Sequence, residues 1–144
     1  MKRLHVNVQV KDVATTIAFY EQLFAAAPTV VKKDYAKWML EDPRVNFSIS
    51  LSSKQEGIEH LGIQVESEAE REEMFQRLDQ LQGKRFDEGD TVCCYAHSTK
   101  SWIEDPQGVS WEIFQTHGVS DVNKVEKSEA QENVCCDDTC CTTA

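Results

Sequence analysis

The segment His5-Val6-Asn7-Val8-Gln9-Val10-Lys11-Asp12 is echoed 55 residues later by His60-Leu61-Gly62-Ile63-Gln64-Val65-Glu66-Ser67, with His, Gln and Val at matching offsets and a helix-capping residue closing each copy. A second echo pairs Glu41-Asp42-Pro43-Arg44-Val45-Asn46-Phe47-Ser48 with Glu104-Asp105-Pro106-Gln107-Gly108-Val109-Ser110-Trp111-Glu112, with one extra residue in the later turn. A chain that repeats a supersecondary unit builds its core from two copies of that unit. At 144 residues there is room for one domain containing both.

Each half reads as strand, helix and several strands. Leu4, Val6, Val8 and Val10 alternate with His5, Asn7 and Gln9, the period of a strand with unlike faces. Asp12 caps a helix predicted through Phe24, with Val13, Ile17, Tyr20 and Phe24 on one side. Short strands follow near 29–33, 36–40 and 46–51. The second half begins with a strand at 60–65, then Ser67 and Glu70 in capping-box spacing ahead of a helix reaching about Gln82, with Gly83 as its stop. Further strands are predicted near 84–87, 91–96, 101–104 and 110–115.

From about Gly118 the apolar periodicity ends and acidic residues outnumber basic ones, so a domain over 1–117 (halves of about 1–52 and 58–117) is expected to carry a flexible, acidic, cysteine-rich tail over 118–144. The six cysteines form three adjacent pairs, a pattern of thiol or metal chemistry more than of a disulfide framework. No apolar stretch follows the N-terminal charges, and a cytoplasmic location is expected. A net charge of −10 repels phosphate backbones and anionic lipids, and no stretch approaches the roughly 18 apolar residues of a membrane span. Neither nucleic acid nor membrane is an expected partner.

Alternation places His5 and His60 at equivalent points on the polar faces of their strands. In the last strand Glu112 and Phe114 share one face, so the Glu112 carboxylate joins both imidazoles if the sheet curls into a cup. Two His and one carboxylate form the facial triad suited to non-haem Fe(II), with positions left for oxygen and substrate; Zn, Mn, Ni or Co can use the same donors. The repeat aligns Ser48 with Glu112, and serine is a poor ligand, so His5, His60 and Glu112 are the expected catalytic metal ligands of an open three-donor site. His97 and His117 lack repeat partners and are expected on the surface or in loops. Phe114, Tyr95, Trp38 and Trp102 either line a pocket or fill the core.

These features, together with Phe19-Tyr20 in the first helix and Asp105-Pro106-Gln107-Gly108 before Trp111-Glu112, resemble the vicinal oxygen chelate superfamily of glyoxalases, extradiol dioxygenases and bleomycin-resistance proteins. The resemblance implies an α+β fold of two βαβββ modules, whose mixed sheet curls into a cup with the helices outside. It also allows modules to pair across a homodimer.

Cys93 and Cys94 are adjacent in Gly89-Asp90-Thr91-Val92-Cys93-Cys94-Tyr95-Ala96. Neighbouring thiols in a regular strand face opposite ways, so joint action requires a strand end or a loose loop, for which Gly89 is a candidate. Two soft sulfurs suit a thiophilic ion such as trivalent arsenic. With Lys100 and Trp102 following, this stretch resembles the ArsI/CadI-type organoarsenical carbon–arsenic lyases. That resemblance implies that Cys93 and Cys94 hold a methyl or aromatic trivalent organoarsenical, that Fe(II) sits on the triad, and that dioxygen is co-substrate for a break releasing arsenite. Tyr95 and Lys100 are expected beside the substrate, with Lys100 favouring the thiolate. Cys135, Cys136, Cys140 and Cys141 are expected to act as auxiliary thiols. Thiol-based sequestration of arsenic or cadmium, or a generic ring-cleaving dioxygenase or glyoxalase-like activity, are the competing expectations.

Overall fold

The computed structural model describes residues 1–121; the four tail cysteines lie outside the described residues. The first module runs β1 (Arg3–Val10), α1 (Val13–Phe24), β2 (Val30–Lys32), β3 (Tyr35–Glu41) and β4 (Arg44–Leu51). The second runs β5 (Gly57–Val65), α2 (Glu68–Gln80), β6 (Arg85–Cys93), β7 (Ala96–Glu104) and β8 (Ser110–Val119). All eight strands form one curled mixed sheet in the order β2-β3-β4-β1-β5-β8-β7-β6. β1 runs parallel to β4 and β5 parallel to β8, while β1 and β5 join the modules antiparallel. The expected pair of βαβββ modules is thus the observed architecture.

The repeat holds at single-residue resolution. Asn7 pairs with Ser48 in the first module as Gly62 pairs with Glu112 in the second. Gly62 is required by that approach, because a Cβ there would stand 2.5 Å from the Glu112 carbonyl oxygen.

Strand alternation assigns the two sheet faces. Val10, Trp38, Phe47 and Ile49 pack beneath α1 with Ile17, Tyr20 and Phe24, and Val65, Ile103 and Ile113 pack beneath α2 with Met74 and Leu78. Burying each such large side chain contributes about 1.5–3 kcal/mol. Trp38 is wholly buried, its indole N–H donating to the Ala26 carbonyl at 3.0 Å, so it belongs to the core. The polar residues that alternate with this core occupy the opposite face.

Both helices start where the sequence places them. Asp12 Oδ1 accepts from Thr15 N at 2.7 Å, and Ser67 Oγ accepts from Glu70 N at 3.2 Å. The Glu70 carboxylate reaches back to Glu66 N at 2.9 Å, one residue beyond the usual capping-box partner.

Several expected boundaries are corrected. α2 ends at Gln80 with Leu81 as an extended cap; Gly83 lies where a Cβ would come within 2.9 Å of the Glu104 carbonyl, so close packing rather than helix termination explains it. The strand expected over 91–96 is broken at Cys94 and Tyr95, whose φ values of 54° and 61° make the two-residue turn between β6 and β7. The expected loose point at Gly89, φ 70°, is an irregularity inside β6, with the pairing shifting register between Asp87 and Gly89. β8 continues past Gln115, and Gly118 and Val119, assigned to the tail by composition, pair with His97 and Ala96. His97 and His117 are exposed at the surface, as expected, and lie in β7 and β8 with their rings 5.4 Å apart.

Candidate metal centre and thiol cleft

The polar face of the sheet encloses an open cleft of about 420 Å³. β1, β5 and β8 deliver His5, His60 and Glu112 to it, each at least 94% buried. His5 Nε2 and His60 Nε2 stand 3.1 Å apart, and Glu112 Oε2 lies 3.5 Å from both. Donors bonded to one ion at about 2.1 Å and at right angles stand roughly 3 Å apart. The three atoms have the spacing and the donor chemistry of a divalent-metal site with one open side.

Each donor is held from behind. His5 Nδ1 donates to the Asn46 carbonyl at 3.0 Å, which leaves the lone pair on Nε2. His60 Nδ1 donates to the Glu59 carboxylate. Regular alternation would turn Glu59 away, but the β1–β5 register shifts between Asn7 and Val8, so Asn7 faces His60 while Val8 faces Ile58 and Glu59 is the extra residue. That bulge brings a carboxylate to the ring beside it. Glu59→Gln is expected to weaken divalent-metal binding by about 10–100-fold, read by competition with a chelating dye.

Lys100 Nζ donates to Glu112 Oε1 at 2.5 Å within the buried cleft wall. Burial would raise the Glu112 pKa, but the Lys100 charge, reinforced by His60, holds it well below the usual carboxylate range. Burial lowers the His5 pKa to about 4, outweighing the Glu112 charge. Burial acts on His60 in the same direction, yet hydrogen bonds to Glu112 and Glu59 raise it to about 9. The metal-free site therefore holds one extra proton on His60, whose Nδ1 donates to Glu59 and whose Nε2 donates to His5 Nε2.

A pH signature follows. Without metal, the His60 contribution to stability is full below the unfolded value of about 6.5 and is lost as pH rises through about 9. A divalent ion must displace that proton, so its apparent affinity is expected to rise about tenfold per pH unit up to about 9. Imidazole NMR titration of metal-free protein should show one ring changing near pH 9 and the other near pH 4; two midpoints near 6.5 would contradict this arrangement.

The cysteines open onto the same cleft. Cys93 ends β6, Cys94 occupies the turn, and their Sγ atoms are 3.2 Å apart, so the strand end lets both thiols point together. Tyr95 does not line the cleft wall with them. Its hydroxyl donates to Asp34 Oδ1 at 2.6 Å and its ring lies 5.8 Å from Tyr35, tying the turn across to the first module. The Asp34 hydrogen bond and then burial raise the Tyr95 pKa to about 12. Phe114 meets the His5 ring edge-on at 5.1 Å, and Trp102 meets the His60 ring at 5.0 Å.

Sequence reasoning named the triad, the thiols, Lys100 and Ser48, all of which line this cleft. It did not assign Glu59, Asn7, Asn46 or Lys37 to the site. The alternation that puts Asn7 two residues after His5 was a sufficient signal for Asn7, and Lys37 likewise alternates with the core residues Ala36 and Trp38, so that β3 brings it opposite Ser48.

A cupped sheet of two βαβββ modules carrying a His-His-Glu cluster defines the vicinal oxygen chelate class, and residues 2–113 match its description as the Glyoxalase/Bleomycin resistance protein/Dioxygenase superfamily, to which the chain belongs. Within it, the chain is 40% identical over 133 residues to the "Probable trivalent organoarsenical cleaving enzyme" of Bacillus subtilis (strain 168), covering 89% of each protein. It is 41% identical over 142 residues to the "Trivalent organoarsenical cleaving enzyme" of Bacillus sp. (strain MD1), covering 94% of this chain and 83% of that one. The Mn(II)-bound glyoxalase of Novosphingobium aromaticivorans shares the fold with a TM-score of 0.59 at 15% identity, over 90% of this chain and 44% of that longer chain. No helix among the described residues is long and apolar enough to cross a membrane.

Proposed function

We propose that this protein is a non-haem Fe(II)-dependent, dioxygenase-type carbon–arsenic lyase that cleaves trivalent organoarsenicals to arsenite. The observation that carries the reading is the opening of a vicinal thiol pair and a three-donor metal cluster onto one cleft. The names of the two Bacillus relatives support the arsenical as substrate.

His5, His60 and Glu112 would hold the metal, which supplies dioxygen activation at its open positions when bound. Cys93 and Cys94 chelate arsenic through two thiolates and leave the organic group as its third substituent. The short span between their sulfurs fixes the arsenic atom and so restricts where its carbon can lie, replacing an encounter with a positioned reaction. Lys100 keeps Glu112 ionised and oriented, and Glu59 does the same for His60. Phe114 shields the His5 side from water, and the Tyr95–Asp34 hydrogen bond holds the cysteine turn over the cleft.

Fe(II)-loaded protein given excess phenylarsenous acid in air is expected to release many equivalents of arsenite per site, whereas the Zn(II)-loaded form releases none. A plateau of one bound arsenic per thiol pair with intact carbon–arsenic bonds under both metals would replace catalysis with sequestration.

A further inference from the structure

The first-module wall of the cleft is built for something the metal and thiols do not use. Asn7 and Asn46 are each 3% exposed and Ser48 is 1% exposed, and all three line the cleft. Asn7 Nδ2 donates to Ser50 Oγ at 3.2 Å and Asn46 Nδ2 donates to Gln64 Oε1 at 3.0 Å. Among the described residues, Asn7 Oδ1, Asn46 Oδ1 and Ser48 Oγ have no hydrogen-bond partner. Leaving one buried polar atom unsatisfied usually costs about 1–3 kcal/mol, and three at one place mark a site awaiting a ligand group.

Their placement follows from the repeat. Asn7 faces Ser48 on one side and His60 on the other, and Asn46 faces His5, so the two asparagines adjoin the two histidines and Ser48 stands beside Asn7. Lys37 faces Ser48 across the β3–β4 ladder and also lines the cleft, yet it bonds none of the three atoms. Burial lowers its pKa against the opposing pull of Cys94, and among the described residues no carboxylate acts on it. The second module answers the Ser48 position with the Glu112–Lys100 ion pair; the first offers acceptors and an ammonium.

This combination selects its ligand. Amide oxygens only accept, so a carboxylate or nitro group is repelled by them; an ammonium only donates, and an aryl amino group, its lone pair delocalised into the ring, is a poor acceptor for Lys37. A hydroxyl both donates to an amide oxygen and accepts from an ammonium. We propose that Asn7, Asn46, Ser48 and Lys37 form a subsite for a hydroxyl group carried on the organic substituent of the arsenical, so that hydroxyaryl arsenicals are the preferred aromatic substrates. The subsite rests on the lyase reading for its arsenical, but its occupancy is measurable without turnover.

The test uses reduced, metal-free, full-length protein with Cys135, Cys136, Cys140 and Cys141 replaced by Ser, titrated calorimetrically with trivalent phenyl-, hydroxyphenyl-, methoxyphenyl-, aminophenyl- and carboxyphenyl-arsenous acids. The three ring positions of the hydroxyl are tried separately. One hydroxyphenyl isomer is expected to bind about tenfold more tightly than phenyl and methoxyphenyl, the size of one well-made hydrogen bond. In Ser48→Ala and, separately, Lys37→Met, that preference is expected to fall to within about threefold. Equal binding of phenyl and every hydroxyphenyl isomer, a preference that survives both variants, or tightest binding of the carboxyphenyl compound would each overturn the subsite. Failure of the lyase reading would appear elsewhere, as absent arsenite release from Fe(II)-loaded protein with phenylarsenous acid, and would leave these binding ratios readable.

Discussion

Replacing Cys94 with Ser is expected to lower arsenite release by about a thousandfold or more, with the metal content of the protein unchanged. One remaining thiolate holds arsenic by a single bond about which it can swing, so the positioning that two sulfurs supply is lost; positioning of this kind is worth several orders of magnitude. Cys93→Ser should behave alike, because the two Sγ atoms lie 3.2 Å apart and share the cleft with the metal donors. His5, His60 and Glu112 come from three other strands, so the metal site should survive either change. Chromatographic separation of arsenic species, beside a metal assay on the same sample, gives the answer. Full turnover in both variants would move the chemistry to a metal site that acts without the thiols.

Glu112→Ala should be the more damaging change, because it strikes stability as well as activity. Glu112 is 3% exposed and is bonded by Lys100, itself 5% exposed. Removing the carboxylate leaves the buried ammonium without it, a loss of about 3–5 kcal/mol for such pairs. In a domain of this size that lowers the unfolding temperature by roughly 10 °C. Arsenite release should disappear along with one of the three metal donors. The double variant Glu112→Leu with Lys100→Met is expected to recover most of the stability and none of the activity, since a buried ion pair replaced by apolar groups is often neutral or better. Calorimetric unfolding separates the two effects; a single variant as stable as the parent would show that the ion pair is not buried as described.

The architecture was legible because the repeat is. Matching His5 to His60 and Ser48 to Glu112 sets both the module boundary and the register, and alternation then places the donors on one face. What stayed hidden depends on pairing between strands. Glu59 reaches His60 only because β5 carries an extra residue against β1, and a bulge is a property of the pair, with no mark in either strand alone. The turn at Cys94 and Tyr95 was equally obscure, since two residues with positive φ are usually signalled by Asn or Gly, and neither is present. Composition placed the end of the domain too early, because Gly118 and Val119 owe their strand conformation to β7 rather than to their own preferences. Lys37 came to the cleft through the β3–β4 hairpin, whose register sets it opposite Ser48.

The most direct measurement is the fate of labelled dioxygen. Reduced, Fe(II)-loaded protein is mixed with trivalent phenylarsenous acid under oxygen-18 gas and, in parallel, without oxygen, and the arsenic and organic products are separated and weighed by mass spectrometry. Arsenite released only with oxygen, accompanied by label in the organic product, is the expected result. Arsenite released equally without oxygen, or arsenical bound by the thiols with its carbon–arsenic bond intact in air, would contradict an oxygen-dependent lyase built from this cleft.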